Sequence, residues 1–217
     1  FSNKQVRWLL ISSSLISCGM IVAMYYEAIM TNGYAQQFLA QGMDLEASRA
    51  EANAYVIKAL LLFSWGSALF MLFPGFLADK IGRKKTIIIM SCTLIASFLI
   101  FYIGSNNEAN PYIVGFFCGA AVGSYWCTGD LVSLMVSEST PTNLRASIMA
   151  VQPMFNLIVL GLSLAVVTVL INILGDAYIG ISSLSTMMPG LVIGLILMML
   201  KAKETRGVDM ATVTGNE

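Results

Sequence analysis

Six stretches of the chain run for 18 residues or more with hardly a charge: roughly Trp8–Ala35, Ala54–Leu77, Thr86–Ile103, Pro111–Ser137, Arg145–Leu174 and Ala177–Leu200. About 20 mostly apolar residues are what a helix needs to cross a bilayer. Alternating apolar and polar residues in segments of about 10 would mark a membrane β-barrel, and no such alternation is present. The chain therefore reads as an all-α membrane protein with six spans. Its solvent is lipid: 57% of residues are hydrophobic and 11% charged, against about 25% charged in soluble domains.

Much chemistry is unsupported. Net charge is zero and there is no histidine, so a nucleic-acid partner, the usual general base and the commonest metal ligand are all missing. Cys18, Cys92, Cys118 and Cys127 are scattered through apolar runs without CxxC spacing, which fits packing rather than metal or redox chemistry. No enzyme, cofactor or metal site is expected. The opening FSNKQVRW runs into the first span with no signal-peptide cleavage site. A start at Phe1 rather than Met fits a fragment.

Six crossings place both ends on one side. That side collects Lys4, Arg7, Lys80, Arg83, Lys84, Lys85, Arg145, Lys201, Lys203 and Arg206, leaving only Arg49 and Lys58 of the 12 cations elsewhere. Cations gather on the cytoplasmic side, so both termini and the tail 201–217 are expected in the cytosol, with the chain in the cell membrane. The outer connections are then Gln41–Asn53, Ser105–Asn110 and Gly175–Asp176. Gly115, Gly119 and Gly123 recur every fourth residue, as do Gly190 and Gly194. In lipid, small residues let helices approach closely. The pattern fits tight bundle packing or, alternatively, a dimerisation face.

Three charged knots face the cytosol. The first is GFLADKIGRKK, residues 75–85. Gly75 and Gly82 permit close approach and unusual dihedrals. Asp79 can meet the positive N-terminus of a neighbouring helix, and Arg83 can grip a carboxylate with two nitrogens. The second knot is SESTPTNLRA, residues 137–146. Pro141 suits the first turn of a helix, with Thr140 as its cap. The third is KETRGVDM, residues 203–210. Together they set Asp79, Glu138 and Glu204 against Arg83, Arg145 and Arg206 at one depth. Such a cluster can work as a gate latch, or it is a static surface network of little energetic weight.

GFLADKIGRKK resembles the loop signature of the Major Facilitator Superfamily, a fold of two six-helix halves that each hold three-plus-three inverted repeats. ESTPTNLRA (138–146) and KETRGVDM resemble the corresponding loop and ending of the C-terminal half in sugar porters and related metabolite transporters. The fourth span reads FFCGAAVG without the arginine of N-terminal halves. The resemblance covers essentially the whole chain and implies helices seven to twelve. It implies a secondary transporter of a small polar metabolite, such as an organic acid or sugar, coupled to protons. The partner would be an N-terminal six-helix half, on the same chain or separate.

Polar groups inside lipid are functional candidates by default. The first span holds Tyr25, Tyr26, Glu27 and Asn32. The tyrosine pair resembles one in the family, but Ser12, Ser13, Ser14, Ile16 and Ser17 replace the amides of sugar porters, which puts hexose binding in doubt. Glu27 lies about 28 Å along the helix from Trp8. It can hold a proton or a cationic group, or pair with Lys58. Asp130 lies about 12 Å inward of Glu138, near Trp126. It can carry a coupling proton or serve as a structural carboxylate. Gln152 and Asn156 share a helix face and can bond substrate or join helices. Trp65 can stack on a ligand or simply pack. The rival reading is a non-transporting six-helix scaffold or receptor-like partner, which has no need of Glu27 or Asp130. A homodimer of the half is a further alternative.

Overall fold

In a computed structural model, residues 3–107 and 109–208 are described; Asp209 and Met210 of the third knot lie outside them. The described residues form seven α-helices: α1 (Lys4–Ile16), α2 (Met20–Ala40), α3 (Leu45–Ile81), α4 (Arg83–Ser105), α5 (Pro111–Glu138), α6 (Thr142–Leu174) and α7 (Ile179–Lys201). Two single 3-10 turns, Ser17–Gly19 and Asp176–Tyr178, join α1 to α2 and lead into α7. The first turn breaks the first expected span into two helices.

Among the described residues, five stretches are long and apolar enough to cross a membrane: Lys4–Ala40, Leu45–Ile81, Arg83–Ser105, Thr142–Leu174 and Asp176–Lys201. The fourth expected span, Pro111–Ser137, forms α5, 28 residues long, but it is not among the five. Its composition explains this. α5 is the hub of the bundle and is buried along most of its length, so glycine, serine and cysteine replace the large apolar side chains that lipid would require. α3 and α6 are the opposite case: only 17% of the most apolar window of each is covered by the rest of the bundle.

Capping rather than hydropathy sets where several helices begin, most clearly at α3, which starts at Leu45 rather than Ala54. Asp44 accepts from the Ala47 amide at 2.7 Å and starts α3, so residues 45–53, expected in an outer loop, are helical. Asn110 accepts from the Tyr112 amide at 3.0 Å and starts α5 with Pro111 in its first turn. Thr140 does not cap α6. Its hydroxyl donates back to the Val136 carbonyl at 2.6 Å, and Pro141 itself holds the cap position before Thr142.

The four-residue glycine stripe is a helix contact within the bundle. Gly115, Gly119 and Gly123 lie against the backbone of α3 at Ala59, Phe63 and Ser67. A methyl group at Gly123 would stand 2.5 Å from the Ser67 carbonyl oxygen. Helices this close exchange Cα–H···O contacts and dense dispersion. The end of α2 ties the far connections together. Tyr34 donates to the Ala109 carbonyl at 3.2 Å and Gln36 to the Ala177 carbonyl at 2.9 Å, while Gln37 donates to the Ser105 carbonyl.

Candidate functional site

The three charged knots converge at one end of the bundle, but with different partners from those the charges alone suggest. Arg83 is the centre. Its guanidinium reaches Asp79 at 3.1 Å and Glu138 at 3.3 Å, and donates to the Ala78 carbonyl at 3.3 Å. The two carboxylates differ in weight. Side-chain exposure is 74% for Asp79 but 8% for Glu138. Glu138 is completed by the Thr205 hydroxyl at 2.5 Å. Arg83 thus bridges α3 and α5, and Thr205 brings the tail to the same carboxylate.

Asp79 does not meet a helix N-terminus; Glu204 does. Its carboxylate accepts from the amides of Arg83 at 2.8 Å and Lys84 at 3.1 Å, the first two of α4. These amides have no partner inside the helix, and the helix dipole favours an anion there. Gly82 makes room for it. At φ +106 its backbone is open to glycine but strained for other residues, and a Cβ would stand 2.5 Å from the Glu204 carboxylate. Gly75 has no such role: it lies exposed within α3 with open space around it. Gly82→Ala is accordingly expected to cost about 1–3 kcal/mol from the positive-φ backbone alone and to loosen the tail. Thermal midpoint and limited proteolysis beyond Ala202 measure both. Unchanged values in each would remove the Glu204 cap from this account.

Arg145 and Arg206 form no ion pair among the described residues. Arg145 donates to the Ser137 and Thr140 carbonyls at 3.0 and 3.2 Å, which close α5. Arg206 donates to the Lys80 carbonyl near the end of α3. Cations at helix C-termini satisfy orphan carbonyls and complement the dipole. The six-charge cluster is therefore one buried Arg83–Glu138 pair, one exposed partner and three helix-end caps. Two residues outside those six complete it. Lys84 donates to the Met199 and Ala202 carbonyls at 2.8 Å each. Gln5 exchanges two 3.1 Å bonds with the Lys203 backbone. The tail is thereby stitched to α1, α3, α4 and α5.

Deeper in the bundle, Gln152 and Asn156 join helices. Gln152 is buried and donates to Ser13 at 3.0 Å and Ser133 at 3.1 Å. Asn156 accepts from the Ser13 hydroxyl at 3.1 Å, and its carbonyl accepts from Ser17 at 3.1 Å. The serines of the first span are thus the other half of a polar seam between α1, α5 and α6, a match that separation by some 140 residues hides from the sequence.

Glu27 and Asp130 remain exposed. Glu27 does not pair with Lys58. It accepts from the Tyr26 hydroxyl at 3.2 Å, while the Lys58 ammonium lies 4.7 Å from the centre of the Tyr55 ring. The Tyr26 ring stacks on Phe63 at 4.8 Å; Tyr25 and Asn32 are half-buried. Asp130 has no hydrogen bond or ion pair among the described residues, and Trp126, one turn away, is 40% exposed beside Tyr125. Trp65 is 67% exposed on α3. Glu27 is thus exposed on α2, Trp65 on α3, and Trp126 and Asp130 on α5.

A family model described as "Sugar (and other) transporter" matches residues 15–206. No curated protein sequence matches the chain. Among solved structures, the crystal structure of an auto inhibited POT family peptide transporter is similar in fold, with a TM-score of 0.60 at 16% identity. The match covers 93% of this chain and 38% of that one.

Proposed function

Because the chain belongs to the sugar (and other) transporter family of the Major Facilitator Superfamily, we propose that it is the C-terminal six-helix half of a secondary transporter. It works with an N-terminal six-helix half. A small polar metabolite, such as an organic acid or sugar, crosses with a proton between the two. The charged end faces the cytosol, in accord with the positive-inside rule.

One observation carries this reading. Asp130 stands exposed on α5, without a hydrogen bond or ion pair among the described residues, about 12 Å inward of the charged end. A carboxylate at that depth is costly against lipid and belongs beside water or protein. An aqueous cavity closed by a second half supplies both, and a carboxylate at its wall can take and release a proton. Alternating access then follows from one half rocking against the other. The Arg83–Glu138 pair and the stitched tail act as the inner latch.

The test is proton-driven uptake by the complete transporter in proteoliposomes, with labelled sugars and carboxylates, beside Asp130→Asn. Gradient-driven uptake of one substrate class should fall at least about a hundredfold in the variant, the lower end of what a positioned proton-transfer group contributes. Unchanged uptake would reduce Asp130 to a structural group. No uptake of any substrate by folded protein would favour the scaffold reading.

A further inference from the structure

Two cavities open side by side at the charged end of α1, and they share Arg7 and Ile11. One, of about 530 Å³, is bounded by Lys4, Arg7, Trp8 and Lys201. The other, of about 380 Å³, runs inward between α1 and α6 and is lined by Leu10, Ile11, Leu15, Phe155 and Val159. No carboxylate lines either. We propose that this paired site binds one anionic phospholipid, its phosphate held by Lys4, Arg7 and Lys201 and an acyl chain laid along the groove between α1 and α6.

The two chemistries sit in the order a lipid would need. Positions 4, 7, 11 and 15 form one stripe of α1, cationic at the end of the bundle and apolar further in. The three cations are also uncommitted. Among the described residues the Lys4 and Arg7 side chains have no hydrogen bond or ion pair, in contrast to Arg83, Lys84, Arg145 and Arg206 at the same end. Lys201 leans over the Trp8 ring at 5.7 Å, which leaves its ammonium hydrogens free and fixes its position. A tryptophan at this level is where amphipathic rings settle at the membrane interface.

The alternatives fit less of the site. A free phosphate would leave the apolar groove unused. A zwitterionic lipid would bring its own cation beside three others, and the carboxylates of the adjoining cavity, Glu138 and Glu204, are already held by Arg83 with Thr205 and by the first amides of α4. Basic pockets between membrane helices favour anionic headgroups, at about 1 kcal/mol per cation near the surface. Cations that merely snorkel to the interface would show no preference among lipids beyond charge density, and no dependence on the groove. The proposal needs only that the chain lies in a bilayer; it does not rest on the substrate or on proton coupling.

The experiment is lipid retention by the purified full-length protein, read by native mass spectrometry. Phosphatidylglycerol and phosphatidylcholine of identical chains are offered in competition, with glycerol phosphate in a separate arm. Wild type should retain phosphatidylglycerol preferentially. The preference should fall about fivefold for each of Lys4→Gln, Arg7→Gln and Lys201→Gln, and roughly a hundredfold with all three. Val159→Trp, which fills the groove and keeps every charge, should also reduce retention, so misfolding of the triple variant does not blunt the test. Lys85→Gln, an exposed cation outside the site, should change nothing. Equal retention of the two lipids, an unaltered preference in the three single variants, or full displacement by glycerol phosphate would each overturn the proposal.

Discussion

Gly119→Leu is expected to leave no stably folded bundle. A side chain at this position would be driven into the Phe63 carbonyl and would press on the Ser67 amide. Extra methylenes in a packed core cost about 1–3 kcal/mol when neighbouring side chains can shift. Here the neighbour is the backbone of α3, which cannot swing aside without parting from α5 over several turns, so the loss should exceed about 3 kcal/mol. Gly161→Leu is the control. It lies on the exposed side of α6 with nothing within 4 Å of where a Cβ would be, and should be neutral. The readouts are the yield of monodisperse protein and the thermal midpoint. If Gly119→Leu behaved like Gly161→Leu, the contact between α3 and α5 would be far looser than described.

Arg83→Ala should produce the next largest effect. It strands Glu138, whose side chain is only 8% exposed. Removing one partner of a buried pair costs about 3–5 kcal/mol, most of it from the uncompensated charge left behind. Asp79→Asn removes a partner of the same arginine but should cost no more than about 1 kcal/mol, because Asp79 is solvated. Arg83→Lys should not rescue, since one ammonium cannot reach two carboxylates and the Ala78 carbonyl in the guanidinium's geometry. The informative variant is the double change Arg83→Ala with Glu138→Gln. It should recover much of the single loss, because the neutral amide can still accept from Thr205 and no longer carries a buried charge. A double variant as unstable as the sum of the singles would show that packing of the arginine, not charge, holds this end together.

What the sequence discloses follows the range of the forces involved. Helices, their rough extents and the tightness of the glycine stripe are local or periodic properties, and they are legible. The family match over residues 15–206 agrees with the resemblance drawn from GFLADKIGRKK. Partnerships are not local. Glu204 looks like a partner for Arg206, two residues away, yet its carboxylate serves the start of α4, some 120 residues earlier in the chain. Arg145 looks like a partner for Glu138 and instead closes α5. In both cases orphan amides and carbonyls at helix ends, which carry no sequence signal, outcompete a formal charge. Gln152 and Asn156 show the same limit from the other side. Their amides suit either a binding surface or a helix joint, and nothing in the sequence tells that their partners are serines of the first span.

The reciprocal bonds between Gln5 and the Lys203 backbone have a topological consequence. They bring the path of the chain back to its own beginning, so the bundle is a closed ring in all but covalent terms. A circular permutant joining these two points and opened at the far Gly175 turn would keep every helix beside its present neighbours. Whatever flanks the bundle, the strands of polypeptide entering and leaving it pass through adjoining points at one end. A module wired in this way can be placed in tandem with another through a short linker, because neither connection has to travel around the barrel of helices to reach the next unit.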